Sequence, residues 1–325
     1  MTTREKVLEL FEKNKGIYFS GEELAQRIHV SRAAVWKAVN SLRQEGYCID
    51  AVTNKGYCLS AKTDILSPQG IYKYLNFDCP QLEIVVLPTV ASTNTWIKEK
   101  ANLGLKEGYI LIANEQTNGR GRRGRDFFSP SETGIYMSLL LRPKNYSAGQ
   151  AVRLTTMAAV AMCEAIETVS GEAAGIKWVN DIYMRGKKVC GILTEASFDL
   201  ESGLLEYAVL GVGVNVYCPG EGFPKQLRQI AGSVLHTTME DAKNRLAGTF
   251  LNCFMKYYTC ENQAGYIKQY QNRNLAVGKQ VMVLSGDKTA RAFAYGVDEE
   301  CRLLVEYEDG RKESLSYGEI DVKLG

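Results

Sequence analysis

Residues 119–130 read Gly119-Arg120-Gly121-Arg122-Arg123-Gly124-Arg125-Asp126-Phe127-Phe128-Ser129-Pro130. The glycines satisfy GxGxxG in form, and would announce a dinucleotide-binding α/β fold if they opened a helix and met an acidic residue about 20 positions on. Neither condition holds, because Pro130 blocks helix propagation and residues 139–141 are Leu-Leu-Leu. No GxxxxGK[ST] occurs, so a P-loop is absent as well. Arginines spaced by glycine suit instead a backbone draped over an anion, with guanidinium forks and peptide N–H groups donating at short range. The glycines cost chain entropy, so such a loop is expected to be mobile until its ligand arrives. A solvated basic surface loop is the alternative for this segment taken alone.

Outward from the loop the hydrophobic pattern is mixed. Leu82–Leu87, Ile110–Ala113 and Ile135–Leu141 have strand character, and Ser92–Leu103 lies between the first two as a helix. Leu154, Met157, Ala158, Ala161, Met162, Ala165 and Val169 mark one face of a long helix, followed by strands near 187–198 and 204–216. This order predicts an α+β domain. Two further clusters fall within it. In Lys177-Trp178-Val179-Asn180-Asp181, followed by Lys188-Val189-Cys190-Gly191-Ile192-Leu193, Lys188 can set an ammonium beside a carboxylate or phosphate, and Asp181 can hold a metal ion or another cation. A plain structural ion pair is the alternative for each. Gly211-Val212-Gly213-Val214-Asn215-Val216 ends a strand in small residues and an amide, which permits close approach of a ligand.

The first sixty residues have another character. Val7, Leu8, Leu10 and Phe11 share one face of a helix ending near Gly16. Ser20 with Glu23 predicts a capping box opening a second helix that carries Leu24, Ala25 and Ile28. His29 and Val30 form a turn. Ser31 then caps a third helix with Ala34, Val35, Ala38, Val39 and Leu42 at helical spacing. Tyr47–Ile49 and Tyr57–Leu59, joined through Thr53, Asn54, Lys55 and Gly56, predict a two-stranded wing. The whole is a winged helix-turn-helix. Ser31, Arg32, Lys37, Asn40 and Arg43 on the third helix, with Lys55 on the wing, are placed to meet phosphates and base edges in a major groove. A protein-interaction module is the alternative use of the same fold.

Composition bounds these readings. At 325 residues the chain is long enough for two or three domains, and its 45% hydrophobic content excludes global disorder. The net charge of +2 is spread unevenly: residues 1–62 carry ten Lys/Arg against seven Asp/Glu, residues 276–325 seven against ten. Nucleic-acid contact is therefore expected at the start of the chain and not in its last fifty residues. The charged opening Met-Thr-Thr-Arg-Glu-Lys is unlike a signal peptide, and no apolar run approaches the ~18 residues needed to span a bilayer, so a cytoplasmic protein is expected. Nine cysteines without a CxxC pair suggest neither a disulfide framework nor a zinc site. With only His29 and His236, a Ser-His-Asp hydrolase is disfavoured, and catalysis must lean on Lys, Arg, Asp or backbone groups. Residues 276–325 hold short strands at Val281–Leu284, Ala290–Gly296 and Leu303–Tyr307, a turn at Asp309-Gly310 and more strand to Val322, which fits a small SH3-like barrel.

In order, Ser92-Thr93-Asn94, Gln116, the GRGRRGR segment with FFSP, KWVND, KKVCGIL and GVGVN resemble the biotin protein ligases. With the winged helix in front, the chain is similar over essentially its whole length to the two-function form that also represses biotin biosynthesis. The resemblance implies a DNA-binding domain at 1–62, a biotin- and ATP-binding catalytic domain with a mixed sheet at 63–275, and an SH3-like domain at 276–325. It implies an ATP-dependent, AMP-forming ligase that makes biotinyl-5′-AMP and passes biotin to one lysine of a biotin carboxyl carrier protein. Carried over by position, Ser92, Thr93, Asn94, Gln116, Gly119, Arg120, Gly121, Arg122, Lys188 and Gly191 would hold biotin. Arg122, Arg123, Arg125, Phe127, Lys177, Asn180 and Asn215 would hold ATP and the adenylate. Lys188, Arg122 and Asp181 would be catalytic, with Asp181 also the carboxylate for Mg²⁺. The adenylate would double as corepressor for a homodimer on an operator of two half-sites, with no membrane involved. Two departures stand out: Val179 occupies a position where proline is frequent in the family, and Phe127 one where tryptophan can occur. A non-catalytic biotin-sensing regulator and a ligase for lipoate or another acyl acid are the competing functions. Retained Arg122, Asp181 and Lys188 disfavour the first, and the Ser92-Thr93 and Gly-Arg segments the second.

Overall fold

The computed structural model describes residues 1–76, 82–144, 146–199, 201–260, 262, 264–285, 288–316 and 319–321. The chain divides into two compact units, residues 1–76 together with 237–249, and the remainder.

The first unit opens with α1 (Thr3–Lys13), α2 (Gly21–Ile28) and α3 (Arg32–Gln44). Side chains of Thr2, Ser20 and Ser31 each accept a backbone N–H at an N-terminus, removing one unsatisfied donor per helix. The reciprocal capping box forms at Thr2 and Glu5; Glu23, expected to complete one with Ser20, pairs with Arg27 at 2.8 Å. His29 ends α2 in the left-handed conformation, the turn role expected of it. Val7, Leu8, Phe11, Leu24, Val35, Val39 and Leu42 form the core. The wing is β1 (Ile49–Val52) paired antiparallel with β2 (Gly56–Leu59), so its first strand starts where the expected one ends. Tyr47 cannot start it because its N–H donates to Leu42 at the end of α3. Gly56 has φ +95°, and a Cβ there would lie 2.0 Å from the Phe19 carbonyl oxygen, so glycine alone lets the wing close on the helices.

A buried ionic network joins 237–249 to this unit. Glu12, whose side chain is fully buried, lies 3.2 Å from Lys15 Nζ and 2.8 Å from Lys73 Nζ, the latter just beyond α4 (Pro68–Tyr72). Both ammonium groups also pair with Asp241, which accepts further hydrogen bonds from Tyr74 Oη (2.7 Å) and Asn244 Nδ2 (2.8 Å). Each charge thus meets opposite ones, the condition under which burial is tolerated, although Glu12 Oε1 is buried without a hydrogen-bond partner among the described residues.

The second unit is built on a seven-stranded mixed sheet, β3 (Glu83–Val90), β4 (Tyr109–Gln116), β5 (Gly134–Leu141), β6 (Gly175–Lys177), β7 (Asp181–Met184), β8 (Lys187–Phe198) and β9 (Leu205–Asn215), in the order β3-β4-β5-β9-β8-β7-β6. β3 and β4 are parallel, joined through α5 (Thr93–Ala101); the other neighbours are antiparallel. α5 packs through Ile97 and Ala101 on Leu111, Leu140, Tyr207 and Val209. The long helix α6 (Ala151–Ser170) covers the opposite face, where Thr155 Oγ1 lies 2.7 Å from Thr194 Oγ1. Two further helices, α7 (Ala242–Thr259) and α8 (Ala264–Asn272), lie outside the sequence expectation, although Leu246, Phe250 and Phe254 recur at helical spacing. The last segment is an antiparallel sheet of β10 (Lys279–Ser285), β11 (Lys288–Val297), β12 (Leu303–Tyr307), β13 (Lys312–Leu315) and β14 (Glu319–Asp321), ordered β13-β12-β11-β10-β14. This meander with a returning last strand is compatible with the SH3-like barrel; Val322, the expected end of the last strand, lies outside the described residues. No helix among the described residues is long and apolar enough to cross a membrane.

Burial pushes the Asp241 carboxyl up, but the donors Lys15, Lys73 and Asn244 outweigh it and hold the group below the ordinary value. A carboxylate depressed by folding stabilises the fold fully above its unfolded pKa of about 3.9 and loses that contribution as pH falls through the folded value. Amide-exchange protection of α1 and α4 is therefore expected to fall as the pH drops below about 4. Asp241→Ala, which leaves two buried ammonium groups sharing Glu12, is expected to cost about 3 kcal/mol at neutral pH and to remove Asp241's share of that acid sensitivity.

Candidate functional site

Sheet register lays out the floor of the site. One row runs Asp181, Gly191, Gly213, Tyr136 across β7, β8, β9 and β5; the next runs Leu193, Gly211, Ser138, Leu111 across β8, β9, β5 and β4. Three adjacent positions on the α5 face therefore carry no side chain. The space is used: a Cβ at Gly211 would lie 2.2 Å from Asn94 Oδ1, one at Gly213 would lie 2.5 Å from the Phe127 ring, and one at Gly191 would lie 3.2 Å from that ring and 3.3 Å from Lys188 Nζ.

The N-terminus of α5 stands on one side of this floor. Ser92 caps the helix, and Thr93 and Asn94 are buried. Ser138 Oγ donates to Asn94 Oδ1 (2.6 Å) and lies 2.7 Å from Thr93 Oγ1. The Thr93 N–H and hydroxyl donate to Gln116 Oε1 (2.9 and 3.1 Å), Gln116 Nε2 donates to Ser129 Oγ (3.0 Å), and Ser129 Oγ donates to the Phe127 carbonyl (2.9 Å). This chain of donors ties the sheet to the Gly-Arg loop and fixes which atoms remain for a ligand. Asn94 Nδ2 also donates to Glu195 (2.8 Å), which pairs with Lys98 at 2.7 Å. Burial raises the Glu195 carboxyl, but the Lys98 and Asn94 hydrogen bonds outweigh it and keep the group below its ordinary value.

The Gly-Arg loop carries hydrogen bonds of its own, which the expectation of a loop dependent on an anion does not foresee. Gly121 N–H donates to Arg125 O (2.7 Å) and Phe127 N–H to Gly119 O (2.9 Å), around a single 3₁₀ turn at Arg122–Gly124. Gly119 is forced by packing, because a Cβ there would lie 2.4 Å from the Phe127 carbonyl oxygen. Arg122 donates to Asn180 Oδ1 at 3.0 Å, joining the loop to the turn between β6 and β7. That turn is anchored on three sides: Asn180 Nδ2 donates to Ile192 O (2.8 Å), Tyr270 Oη to Val179 O (3.0 Å) and the Trp178 indole to Cys301 O (3.1 Å). The Trp178–Val179 peptide is cis. A register shift between β7 and β8 pairs Ile182 with Cys190 but Tyr183 with Lys188, so one extra residue turns Lys188 onto the face of Gly191. Lys188 Nζ consequently lies 2.7 Å from Asp181 Oδ1. Cys190, on the opposite face of β8, is buried, which pushes its thiol well above the ordinary value and leaves it inert.

These elements enclose a cavity of about 470 Å³. Of the expected site residues, Ser92, Thr93, Asn94, Gln116, Arg120, Gly121, Arg122, Arg125, Phe127, Lys177, Asn180, Asp181, Lys188 and Gly191 line it. Gly119, Arg123 and Asn215 do not. Gly119 packs beneath the loop, Arg123 takes a left-handed backbone (φ +57°), and Asn215 Nδ2 donates to Gly232 O at 3.1 Å. Leu193 from the Lys188–Leu193 stretch also lines it, as do Gly211 and Gly213, where close approach of a ligand was expected; Met137 was not foreseen, nor were Met282, Leu284, Thr289 and Ile320 from the C-terminal sheet. Nothing local announces these. The cavity therefore joins neutral hydrogen-bonding groups with cations over a glycine floor, suited to a ligand with an uncharged polar part and an anionic part. For a metal, the described residues hold no cluster of three acidic, Cys or His side chains, and Asp126 and Asp181 are the cavity's carboxylates.

In the first unit, α3 turns Arg32, Lys37, Asn40 and Arg43 away from its buried face. The Arg32 side chain is 74% exposed, with Glu22 3.8 Å away. Lys55 on the wing lies 5.8 Å from the Tyr18 ring centroid. Two expected contacts have structural work as well: Ser31 caps α3, and Arg43 donates twice to the Ile49 carbonyl (2.9 and 2.7 Å), bracing the wing.

Residues 86–215 match the biotin/lipoate A/B protein ligase family, residues 3–58 an HTH domain and residues 276–323 the biotin protein ligase C-terminal domain. The chain is 35% identical to the bifunctional ligase/repressor BirA of Bacillus spizizenii and 34% identical to that of Bacillus subtilis, in each case over 100% of this chain and 99% of the relative. Among solved structures, the biotin protein ligase of Aquifex aeolicus in complex with biotin and ATP superposes with a TM-score of 0.62 at 25% identity, covering 74% of this chain and 98% of that one.

The glycine floor makes a direct stability prediction. Gly211→Val and Gly213→Val, which drive a side chain into Asn94 and Phe127, are expected to cost about 1–3 kcal/mol in equilibrium denaturant unfolding. Gly220→Val, where a Cβ meets nothing within 4 Å, is the control and is expected to change little. Equal or greater stability of the floor variants would mean that strand propensity, not packing, governs these positions.

Proposed function

The chain belongs to the family of bifunctional biotin ligase/repressors, and from that membership we propose that it activates biotin with ATP, delivers it to a carrier protein and represses transcription in response. The observation that carries the reading is one cavity in which hydrogen-bonding groups of α5 and β4 and cationic groups of β8 and the Gly-Arg loop face the same glycine floor. In the first step a carboxylate oxygen of biotin bonds to the α-phosphorus of ATP and the bond to pyrophosphate breaks, giving biotinyl-5′-AMP. In the second, the amine of one lysine of a biotin carboxyl carrier protein attacks the acyl carbon and AMP leaves. The first step presses one anion against another, so fixed positive groups must offset their repulsion.

Thr93 and Gln116, with Ser92, Asn94, Arg120, Gly191 and the Gly119–Gly121 backbone, are assigned to biotin. Lys188 takes the reacting carboxyl. Arg122 takes the phosphate, supported by Arg125 and Lys177, and Phe127 and Asn180 take the nucleoside side. In the free protein Lys188 pairs with Asp181 and Arg122 with Asn180, so an incoming anion competes for donors already aimed at the cavity. Mg²⁺ fits this arrangement. Asp181 would hold it, together with substrate phosphates and water. When bound it would neutralise phosphate charge. Intact Lys188, Arg122 and Asp181 support a working enzyme over a sensor with a decayed site.

The domain assignment follows: 1–62 for DNA through Ser31, Arg32, Lys37, Asn40, Arg43 and Lys55, 63–275 for catalysis, 276–325 as the closing sheet. Biotinyl-5′-AMP is the proposed corepressor, favouring a homodimer that sets two winged helices on two half-sites. A ligand–dimer coupling of about 1–3 kcal/mol would change assembly about 5–150-fold, and unmodified carrier would relieve repression by consuming the adenylate in the cytoplasm.

Lys188→Ala and Arg122→Ala test the cationic assignments, and both are expected to fold. Lys188→Ala should slow adenylate formation about a hundredfold in pyrophosphate exchange. Arg122→Ala should instead release the adenylate about ten- to a hundredfold faster, read from its appearance in solution. Full rates with tight retention in both variants would overturn the assignment.

A further inference from the structure

The outward face of α3 carries a residue that neither activity uses. α3 buries Val35, Ala38, Val39 and Leu42, which turns Arg32, Ala33, Trp36 and Lys37 to solvent. Trp36 is 57% exposed, whereas Trp178 in the second unit is 4% exposed. Its indole borders an open groove of about 490 Å³ shared with Lys37, Asn40, Ser41, Arg43 and Gln44. A large aromatic left in water calls for a ligand that would cover it. Its surroundings say which kind. Lys37 and Arg43 line the groove and Arg32 lies one turn before Trp36 on the same helix, so this face is cationic, which opposes an apolar protein groove and suits a polyanion.

We infer that Trp36 contacts bases of the bound duplex, seating its indole against thymine methyl groups in the major groove, with Ala33 one turn edge away. This rests on the DNA-binding reading of the first unit and adds to it a source of sequence preference. Cations on phosphates fix position without reading sequence, whereas apolar contact with the thymine C5-methyl separates thymine from the other bases. Arg43 adds little to that reading, because its guanidinium is committed to the Ile49 carbonyl. Trp36 is then the largest group on the face able to discriminate between sequences.

The test uses the full chain with biotin, ATP and Mg²⁺, and the tightest duplex that it selects from a pool with a randomised core. Trp36→Ala is expected to weaken that duplex about tenfold while leaving unselected duplex unchanged, and Trp36→Phe should fall between. Replacing single thymines by uracil removes one methyl and no hydrogen bond. It should weaken the wild type about fourfold at the contacted positions and leave Trp36→Ala unaffected. Lys37→Ala, by contrast, should weaken selected and unselected duplex alike and lower the salt slope by about one. Equal affinity of Trp36→Ala, or the same uracil penalty in both proteins, would overturn the inference and leave DNA binding standing. Recovery of no duplex by the wild type would instead remove the DNA-binding reading itself, and with it this one, and would point to a protein partner at Trp36.

Discussion

Three missing side chains set the terms for the second unit. Gly191, Gly211 and Gly213 fall side by side because β8 and β9 pair in a register that places 191 opposite 213 and 193 opposite 211. A slip of one residue in β8 would turn Gly191 to the α6 face and present Ile192 beside Gly211 and Gly213 instead. On the floor they leave open, Asn94 and Phe127 come within distances that no Cβ would tolerate. Strand propensity disfavours glycine here, so the sheet gives up local stability to bring backbone, helix end and loop together.

Around the floor the charges are arranged for position more than for stability. The Lys188–Asp181 pair is partly exposed, with side-chain accessibilities of 28% and 25%, and a pair so placed contributes little to folding. What it does is hold an ammonium over Gly191, where the bulge between β7 and β8 has aimed it. Arg122 is held to Asn180, which is held to Ile192, so the loop is referred back to the strand beside the floor. Preset donors of this kind lose little reorganisation energy when an anion arrives, the general basis of electrostatic catalysis. The buried network of Glu12, Lys15, Lys73 and Asp241 is the contrast. There the charges are mostly buried and each meets two opposite ones, and the consequence is cohesion of the first unit.

Much of this is legible in the sequence wherever one element suffices. The helices and wing of the first unit follow from apolar spacing and serine caps, and the exclusion of a dinucleotide fold follows from Pro130 and Leu139-Leu140-Leu141. The Gly-Arg loop, Lys188 and Asp181 announce cation chemistry, and the structure places them in one cavity. Illegible residues depend on who sits beside whom. Periodicity gives the face of a strand but not its neighbour, so Ser138 beneath Thr93, Glu195 behind Asn94 and Ile320 at the rim carry no local mark. The same holds for Asp241, which meets Lys15 across 226 positions of chain. Asn215 and Arg123 mark the opposite limit: their segments are conspicuous, yet neither lines the cavity.

The most direct measurement is a crystal structure of the full chain after incubation with biotin, ATP and Mg²⁺. The expected electron density is biotinyl-5′-AMP lying across Gly191 and Gly213, its ring hydrogen-bonded near Thr93 and Gln116, with the Lys188 and Arg122 donors moved from Asp181 and Asn180 onto the acyl-phosphate. An adenylate bound elsewhere, or unreacted ligands with both protein pairs intact, would contradict a site built on the glycine floor.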